Sequence, residues 1–352
     1  MTARSSAGPG RGPGGVPAAI ALSPILSARY RARDLERIRA AAPGAQLVTV
    51  SIEGLADGPL DDVEVLLRGF LSAEAFDRLL ARAPRLIWVH SASAGVERVL
   101  TPAGRERGLV VTNARGVFSR PIAEYVLMMI LAVSRRLPQL LELQHERTWQ
   151  PLEGAELRDV TVGIVGLGSI GRAVGSLATA FGCRVIAIRR RADPDAEMGI
   201  DDGQDEPGDR FVPGRVMGPA GLPELLAESD FIVLAAPLTA ETEGIIDEAA
   251  LAGVKPGSWL INVARGKLID ERALLRALHE GPLGGAVLDT FREQPLQPDS
   301  PFYDLPNVIV TPHTSWSSGR VLDRSVELFC DNLRRYAAGD PLVNVVDPAA
   351  GY

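Results

Sequence analysis

The stretch VTVGIVGLGSIGRAVG, residues 160–175, decides the fold. It opens with a short apolar run, and three glycines follow in the spacing G-x-G-x-x-G: Gly166, Gly168 and Gly171. In a strand-turn-helix unit of this kind, the first glycine allows a tight turn and the second lets the backbone approach a pyrophosphate. The third lets the helix pack on the strand. Ser169 and Ile170 then present N–H groups at a helix N-terminus, which favours phosphate. The stretch therefore predicts a dinucleotide site.

Outward from this motif, short apolar runs alternate with helical patterns. Six runs predict one sheet of parallel strands in a doubly wound fold, at 160–166, 184–188, 231–235, 259–263, 285–289 and 308–311. Five earlier runs predict a second parallel sheet, at 19–22, 47–51, 63–67, 86–90 and 109–112, with helices over 31–42 and 73–83. The chain is accordingly predicted to be an α/β protein with two parallel sheets.

Two further helices are predicted from their patterns. One starts near Pro121 and ends at Pro138; its apolar residues lie all round it, so it is buried in a core or, our preference, a subunit interface. The last helix is amphipathic and ends before Gly339. Its apolar positions are spaced by three and four, at Leu322, Val326, Phe329, Leu333 and Tyr336.

Composition excludes several classes of protein. The chain has 352 residues, a net charge of −7 and 46% hydrophobic residues, which argues against nucleic acid or anionic membrane as main partner. The longest apolar stretch, 122–133, is too short to cross a bilayer. Cys183 and Cys330 lack a C-x-x-C spacing, so neither a disulfide framework nor a metal site is expected. We expect a reduced, cytoplasmic protein.

Two segments are predicted to lie outside the packed domains. Residues 1–17 are rich in Gly, Pro and Ser, lack the apolar run of a signal peptide and are predicted to be disordered. The stretch 193–217 carries many acidic residues and is predicted to be a solvated loop.

The cofactor strand RVIAI runs directly into Arg189, Arg190 and Arg191. NAD-specific sites place an acid about 20 residues beyond the glycines, to bind the ribose 2′-hydroxyl. Arg189 stands there, and its guanidinium can grip a 2′-phosphate instead, while Arg190 could stack on adenine or add charge. The chain uses arginine almost exclusively as its basic residue, so a solvated charge run is the alternative. We predict that NADP(H) is favoured over NAD(H).

Several motifs together resemble the D-isomer-specific 2-hydroxyacid dehydrogenases. Besides the glycine stretch they are SASAGVERVL (91–100), ARGVFSRPIAEYVL (114–127), NVARG (262–266), GAVLDTF (285–291) and TPHTSWSSG (311–319), in the family's order. The resemblance implies two Rossmann-like doubly wound domains and usually a homodimer. A discontinuous substrate domain would comprise 18–118 plus 319–352, and the dinucleotide-binding domain 119–318.

The chemistry of the family needs a cation for the carboxylate of a 2-keto acid and a proton for the new hydroxyl. Arg265 follows a cofactor-domain strand and matches the substrate arginine. His313 matches the acid/base histidine, whose ordinary pKa of about 6.5 suits proton exchange near neutrality. Asp289 matches a residue near the nicotinamide, and a structural role for it is equally open. The resemblance assigns further cofactor contacts to Ala236, Pro237, Val263, Ala264 and Ser315.

One position departs from the family pattern. Where the family usually has a Glu paired with the histidine, this chain has Gln294, with Glu293 one place earlier. An amide can orient the imidazole but supplies no charge, so we expect His313 to protonate at lower pH than in relatives with Glu. A register shift that lets Glu293 pair remains an alternative. Gln beside His is also typical of formate dehydrogenases, and a binding protein that senses nicotinamide nucleotides is a further alternative.

The first domain supplies the remaining candidates. The loop after the strand at 86–90 consists of small residues, and the family uses its N–H groups as a carboxylate cradle: Ser93, Ala94, Gly95 and Val96. Arg68 could reach the same cleft, although an exposed arginine is the favoured interpretation. Trp149 and Trp316 could wall the pocket or pack in a core. The sequence therefore favours an NADPH-dependent reductase of a small 2-keto acid.

Overall fold

The computed structural model describes residues 10, 12–25, 30–96, 98–190 and 213–348. The chain divides into two compact units. The first unit ends at Val117 and resumes at Ser318, and the second spans Phe118–Ser317. The boundaries anticipated from the sequence, 118/119 and 318/319, lie one residue further along the chain.

The first unit is built on a five-stranded parallel sheet in the order β2-β1-β3-β4-β5. The strands are β1 (Ala19–Leu22), β2 (Gln46–Thr49), β3 (Val63–Arg68), β4 (Trp88–Ser91) and β5 (Val110–Asn113). The helices between them are α1 (Ala32–Ala41), α2 (Ala73–Arg82) and α3 (Pro102–Arg107). Side chains at two helix starts accept the first free N–H groups, since Ser72 caps α2 and Thr101 caps α3. The order is that of a doubly wound fold, with its switch point between β1 and β3.

The second unit holds a seven-stranded parallel sheet in the order β12-β11-β10-β9-β6-β7-β8. Its strands are β6 (Thr161–Val165), β7 (Arg184–Ile188), β8 (Arg215–Met217), β9 (Phe231–Leu234), β10 (Trp259–Asn262), β11 (Gly285–Leu288) and β12 (Val308–Val310). The helices are α4 (Ser119–Ser134), α5 (Leu137–His145), α6 (Ser169–Ala180), α7 (Leu222–Glu228), α8 (Glu248–Ala252) and α9 (Glu271–His279). This sheet is Rossmann-like, and strand order reverses between β6 and β9.

The last helix, α10 (Val321–Ala338), confirms its predicted pattern. Its inward face is buried in the first unit, and Gly339 ends it in the left-handed conformation, at φ 75°. Beyond it the chain returns to β5, because Val346 N–H donates to the Val111 carbonyl and Asn113 N–H to that of Asn344. Both ends of the chain therefore contribute to the first unit.

Helix α4 shows where its apolar surface is used. Ile122, Ala123, Val126 and Ile130 are buried in a core shared with α6 and the central strands of the same unit. Of the two alternatives for this helix, core burial accounts for most of its surface, while Met128 is exposed.

Three predictions about chain organisation are wrong. The helix begun near Pro121 ends at Ser134, and Pro138 lies instead in the first turn of α5, where a missing N–H costs nothing. The predicted loop 193–217 contains β8, so the sheet has a seventh strand; residues 193–212 lie outside the described residues. The disordered tail does not extend to residue 17, because Gly15 N–H donates to the Ala337 carbonyl at 2.8 Å.

Within the described residues, no helix combines the length and hydropathy that a membrane crossing requires. Cys183 and Cys330 are both buried free thiols, and burial raises the pKa of each. Among the same residues, no cluster of three or more His, Cys, Asp or Glu side chains is arranged to hold a metal ion.

Candidate active site

The three glycines of the 166–171 turn have distinct structural roles. Gly166 has φ 105°, and a Cβ there would lie 2.5 Å from the Ala236 backbone nitrogen, so only glycine fits. A Cβ on Gly171 would overlap the Gly166 carbonyl oxygen, which explains the close packing of α6 on β6. Gly168, at the N-cap of α6, faces open space. This combination of a tight turn, an open approach and a helix N-terminus fits a dinucleotide pyrophosphate.

The turn lies at the switch point of the sheet. Gly166 follows β6, and Ala236 and Pro237 follow β9, the neighbouring strand on which the order reverses. Ligands of doubly wound folds bind in the crevice at the carboxyl ends of such strands. The glycine turn and the 236–237 turn therefore lie where a dinucleotide would bind.

Arg189 and Arg190 lie beside the glycine turn. The Ile188 carbonyl accepts hydrogen bonds from the N–H groups of Gly166 and Leu167, at 3.0 and 3.2 Å. Arg189 follows directly, half-buried, with its own N–H bound to the Met217 carbonyl, and Arg190 is exposed. Two arginine residues therefore follow β7, where the sequence predicts the 2′ position of the cofactor ribose. Arg191 lies outside the described residues.

Arg265 is carried by a turn that a buried amide organises. Asn262, fully buried at the end of β10, accepts from the Ala264 N–H and donates to the Arg265 carbonyl. The next residue, Gly266, packs its backbone on that of Phe291, leaving no room for a Cβ. The turn is therefore held at the carboxyl edge of the sheet against the segment after β11, with Val263 and Ala264 buried. The role of Asn262 was not predicted from the sequence, although an amide residue at the end of an apolar strand can indicate a side chain that organises the following turn.

Asp289 organises the loop after β12. It is fully buried, and its carboxylate accepts the Thr311 hydroxyl at 2.7 Å and the N–H groups of Thr314 and Ser315 at 2.8 and 3.0 Å. Because the Thr311 proton goes to Asp289, the Thr311 oxygen accepts from the Tyr125 hydroxyl, at 2.6 Å. A structural role for Asp289 is thus present. Tyr125 and Thr311 were missed, because their contact joins residues 186 positions apart.

His313 and Gln294 form the pair that the family pattern suggested. His313 Nδ1 lies 2.9 Å from Gln294 Oε1, and the Gln294 amide nitrogen donates to the Phe291 carbonyl. This second bond directs the oxygen of the amide at the imidazole, so Nδ1 carries the hydrogen and Nε2 is left to exchange a proton. Gln294, and not Glu293, holds the pairing position, and the register-shift alternative is wrong.

Burial, and not charge, is the main factor that opposes protonation of His313. It lowers the pKa of the imidazole below its usual 6.5; the Asp289 carboxylate raises the pKa in part, and the Arg265 guanidinium lowers it by less. The net shift is downward, in the direction expected for a histidine without a carboxylate partner. Arg265 follows β10 and His313 follows β12, so both lie at the same carboxyl edge of the sheet.

In the first unit, the loop 92–96 follows β4 at the carboxyl edge of the sheet. The Ser93 hydroxyl donates to the Gly95 carbonyl at 2.6 Å and also lies 2.9 Å from the Ser91 hydroxyl. Ser93 and Ala94 are exposed and Val96 is buried. Within the described residues, the Gly95 and Val96 N–H groups have no hydrogen-bond acceptor, which suits an anion.

Arg68 is not the exposed arginine that the sequence favours. It is 3% exposed at the end of β3, and its guanidinium donates to the Gly69 and Leu71 carbonyls. Burial, and then the nearby Arg98, lower its pKa to about 10. Its Nε has no partner within the described residues. The side chain therefore holds the turn that follows β3.

The two tryptophans differ. Trp149 is fully exposed, so a core position for it is wrong. Trp316 is partly buried against the core of the second unit, and its indole N–H donates to the His313 carbonyl at 2.7 Å. Of the other histidines, His90 is fully buried in the core of the first unit.

Known proteins resemble the chain over nearly its whole length. The family profile described as D-isomer specific 2-hydroxyacid dehydrogenase, NAD binding domain, matches residues 127–315. A glyoxylate reductase of Korarchaeum cryptofilum is 33% identical over 306 residues, 85% of each chain. A D-isomer specific 2-hydroxyacid dehydrogenase of Xanthobacter autotrophicus, solved with NADPH and MES, is 28% identical; the match covers 96% of this chain and all of that one, at a TM-score of 0.80. The NADPH-dependent glyoxylate/hydroxypyruvate reductase of Sinorhizobium meliloti, solved with NADP and sulfate, is 29% identical, with coverage of 95% and 99% and a TM-score of 0.77.

Proposed function

The chain belongs to the D-isomer specific 2-hydroxyacid dehydrogenase family, and we propose that it reduces a small 2-keto acid to the D-2-hydroxy acid, with NADPH favoured over NADH. The observation that carries the proposal is that Arg265, which follows β10, and His313, which follows β12, both lie at the carboxyl edge of one Rossmann-like sheet. A guanidinium and an imidazole are the two groups that this reduction requires of the protein.

Each group has a defined task in the proposed reaction. Arg265 binds the substrate carboxylate and polarises the adjacent carbonyl. His313, in its imidazolium form, donates a proton from Nε2 to the carbonyl oxygen, while Gln294 holds Nδ1. Bound NADPH supplies the hydride. In the first unit, the N–H groups of Gly95 and Val96 bind a carboxylate, and Arg68 shapes the neighbouring turn.

The cofactor preference rests on the end of β7. Two arginines stand where an NAD-specific site has an acid, and both solved relatives described above hold an NADP form. Ser315 and the turns at 236–237 and 263–264 lie at the carboxyl ends of β9 to β12 and contact the rest of the cofactor, while the buried Asp289 holds the loop that carries Ser315.

The proposal extends to a cytoplasmic homodimer. Helix α5 has no buried residue, and it exposes Leu137, Leu140 and Leu141, with Trp149 fully exposed shortly after it. An apolar helix face of this kind suits a second copy of the chain. Light scattering on the purified protein tests the oligomeric state.

The test of function is a panel of glyoxylate, hydroxypyruvate, pyruvate and bulkier 2-keto acids, run with NADPH and NADH in parallel. We expect turnover of at least one small keto acid, faster at low concentrations of NADPH than of NADH. Tight binding of NADPH without turnover of any keto acid would contradict catalysis and favour a nucleotide-sensing protein.

One observation favours a second candidate. The Gln294–His313 pair lacks the carboxylate that stabilises imidazolium, and such a pair suits oxidation of formate, which needs no proton donor. Adding formate with NADP⁺ and NAD⁺ to the panel separates the two, because a formate dehydrogenase would turn over formate and leave the keto acids unchanged.

A further inference from the structure

His313 has an unusual backbone conformation. Its φ is 51°, in the left-handed region that residues other than glycine seldom adopt. Such a conformation persists where the surrounding contacts determine it. The contacts of the 311–317 turn therefore show how the imidazole is held.

Backbone donors on both sides of His313 are fixed. Its own N–H donates to the Thr311 carbonyl at 3.0 Å, and the next two N–H groups bind the buried Asp289 carboxylate. These bonds fix the chain before and after the histidine. None of these bonds involves the His313 carbonyl. The direction of that carbonyl depends on the backbone torsion angles of His313, which lie in the left-handed region.

The Trp316 indole N–H binds that carbonyl at 2.7 Å, a short and well-formed hydrogen bond. The indole ring itself packs against the core that α4 and α6 share with the central strands. The donor therefore belongs to a ring that core packing holds in place. A phenylalanine could fill the same space but could not donate.

We propose that Trp316 is a positioning residue, whose core-anchored indole N–H fixes the left-handed conformation of His313 and so holds its imidazole against Gln294. The inference rests on the proposed function, in which His313 gives the proton. It differs from a role for Trp316 as a pocket wall, which would act through the shape of the ring and not through its N–H.

The two roles have different electrostatic consequences. The charged groups that face His313 are Asp289, at the end of β11, and Arg265, after β10, and Trp316 adds no charge to them. Loss of the indole donor therefore acts by releasing the imidazole toward water. Since burial is the largest cause of the lowered pKa of His313, release raises that pKa toward 6.5.

The test compares Trp316→Phe with Trp259→Phe, a matched control at the opposite, amino-terminal edge of the same sheet. On the acidic plateau of the pH profile, where His313 is fully protonated in both proteins, we expect Trp316→Phe to lower kcat by about ten- to a hundred-fold, because small displacements of reacting groups are costly. The KM for keto acids of different size should stay in its wild-type order. In Trp259→Phe, both kcat and the order of the KM values should be those of the wild type. A changed order of KM with an unchanged pH profile would overturn the proposal in favour of a pocket wall.

Nuclear magnetic resonance provides readouts that need no turnover. The chain has four histidines, so the His313 ring signals can be titrated directly and assigned with His313→Asn. The pKa of His313 should rise in Trp316→Phe and stay unchanged in the control. If Trp316→Phe fails to fold, hydrogen exchange of the four indole N–H groups in the wild type tests whether the Trp316 N–H is held in a hydrogen bond. Trp316 should exchange slowly and the exposed Trp149 fast; equally fast exchange would overturn the proposal. If no keto acid is reduced, the proposed function fails while these measurements still decide the role of Trp316.

Discussion

Replacing Gln294 with Glu tests how the proton donor is tuned. The variant places a carboxylate oxygen where the amide oxygen now lies, 2.9 Å from His313 Nδ1. Imidazolium would then have an adjacent counter-ion, and its pKa must rise. In the wild type burial already lowers the pKa of His313 below its usual value, which disfavours the imidazolium that reduction consumes.

The size of the effect follows from the exposure of the pair. Two unit charges 4 Å apart interact by about 1 kcal/mol in water and by about 4 kcal/mol at an effective dielectric constant of 20. Although protein atoms packed around the imidazole lower its pKa, His313 and Gln294 both keep a solvent-exposed side, so solvent screening keeps the interaction energy near the lower of these two values. We therefore expect a rise of about one pKa unit, which corresponds to about 1.4 kcal/mol.

The sign of the kinetic effect is fixed by the protonation state. Above the pKa of His313, the fraction of imidazolium falls about ten-fold per pH unit, so a rise of one unit increases kcat for reduction about ten-fold at a given alkaline pH. Oxidation of the hydroxy acid needs neutral imidazole and should be slowed on the acidic side of its profile.

The assay is keto acid reduction at saturating NADPH between about pH 5 and pH 9, where histidine titrates. The control is Glu293→Gln, which removes the neighbouring carboxylate without touching the pair and should leave the profile in place. An unmoved profile in Gln294→Glu would falsify the assigned pairing, and a profile that moves downward in Glu293→Gln would show that Glu293 acts on the histidine.

Three further outcomes are expected. Arg189→Asp should shift the ratio of kcat/KM with NADPH to that with NADH by at least about ten-fold toward NADH, since a bidentate charged contact is lost; an unchanged ratio contradicts a 2′-phosphate clamp. Gly168→Ala should leave the free energy of unfolding within about 0.5 kcal/mol yet weaken NADPH binding, because its Cβ enters open space, whereas Gly166→Ala should be strongly destabilised. The pKa of buried His90 is lowered to about 3, so its stabilising effect is complete above pH 6.5 and is lost as pH falls. Relative to His90→Gln, the wild type should lose about 2 kcal/mol of unfolding free energy between pH 7 and pH 5; parallel curves would refute this.

Much of the fold followed from local patterns. The glycine spacing determines a turn with positive φ at Gly166, and the alternation of apolar runs determines two parallel sheets. The final amphipathic helix and its glycine cap were predicted for the same reason, because one face and one backbone conformation are encoded in neighbouring residues. The turn and the helix are therefore encoded locally, by residues that are close in sequence.

The errors arose where one residue type permits two structures. Proline ends a helix but is also tolerated in a first turn, so Pro138 could mark the end of one helix or the start of the next. Strand β8 is only three residues long and has no periodicity of its own; parallel pairing with β7 defines it. Arginine is usually a surface residue. Arg68 is buried because its guanidinium donates to carbonyl groups of the turn that follows β3, a contact that the sequence does not show.

The identity of the candidate active-site residues was predictable from sequence motifs. Their hydrogen bonds and pKa values depend on contacts between residues distant in sequence. Asp289 contributes the one carboxylate that raises the pKa of His313 within the described structure, and three hydrogen bonds of the turn already occupy it. It therefore supports the imidazole from a distance and does not replace the missing Glu. With Gln294 in the pairing position, burial outweighs Asp289 and keeps the pKa of His313 below its usual value, which favours the neutral imidazole. If the proposed reaction is correct, reduction must accelerate toward acidic pH, and oxidation must be favoured at neutral and alkaline pH.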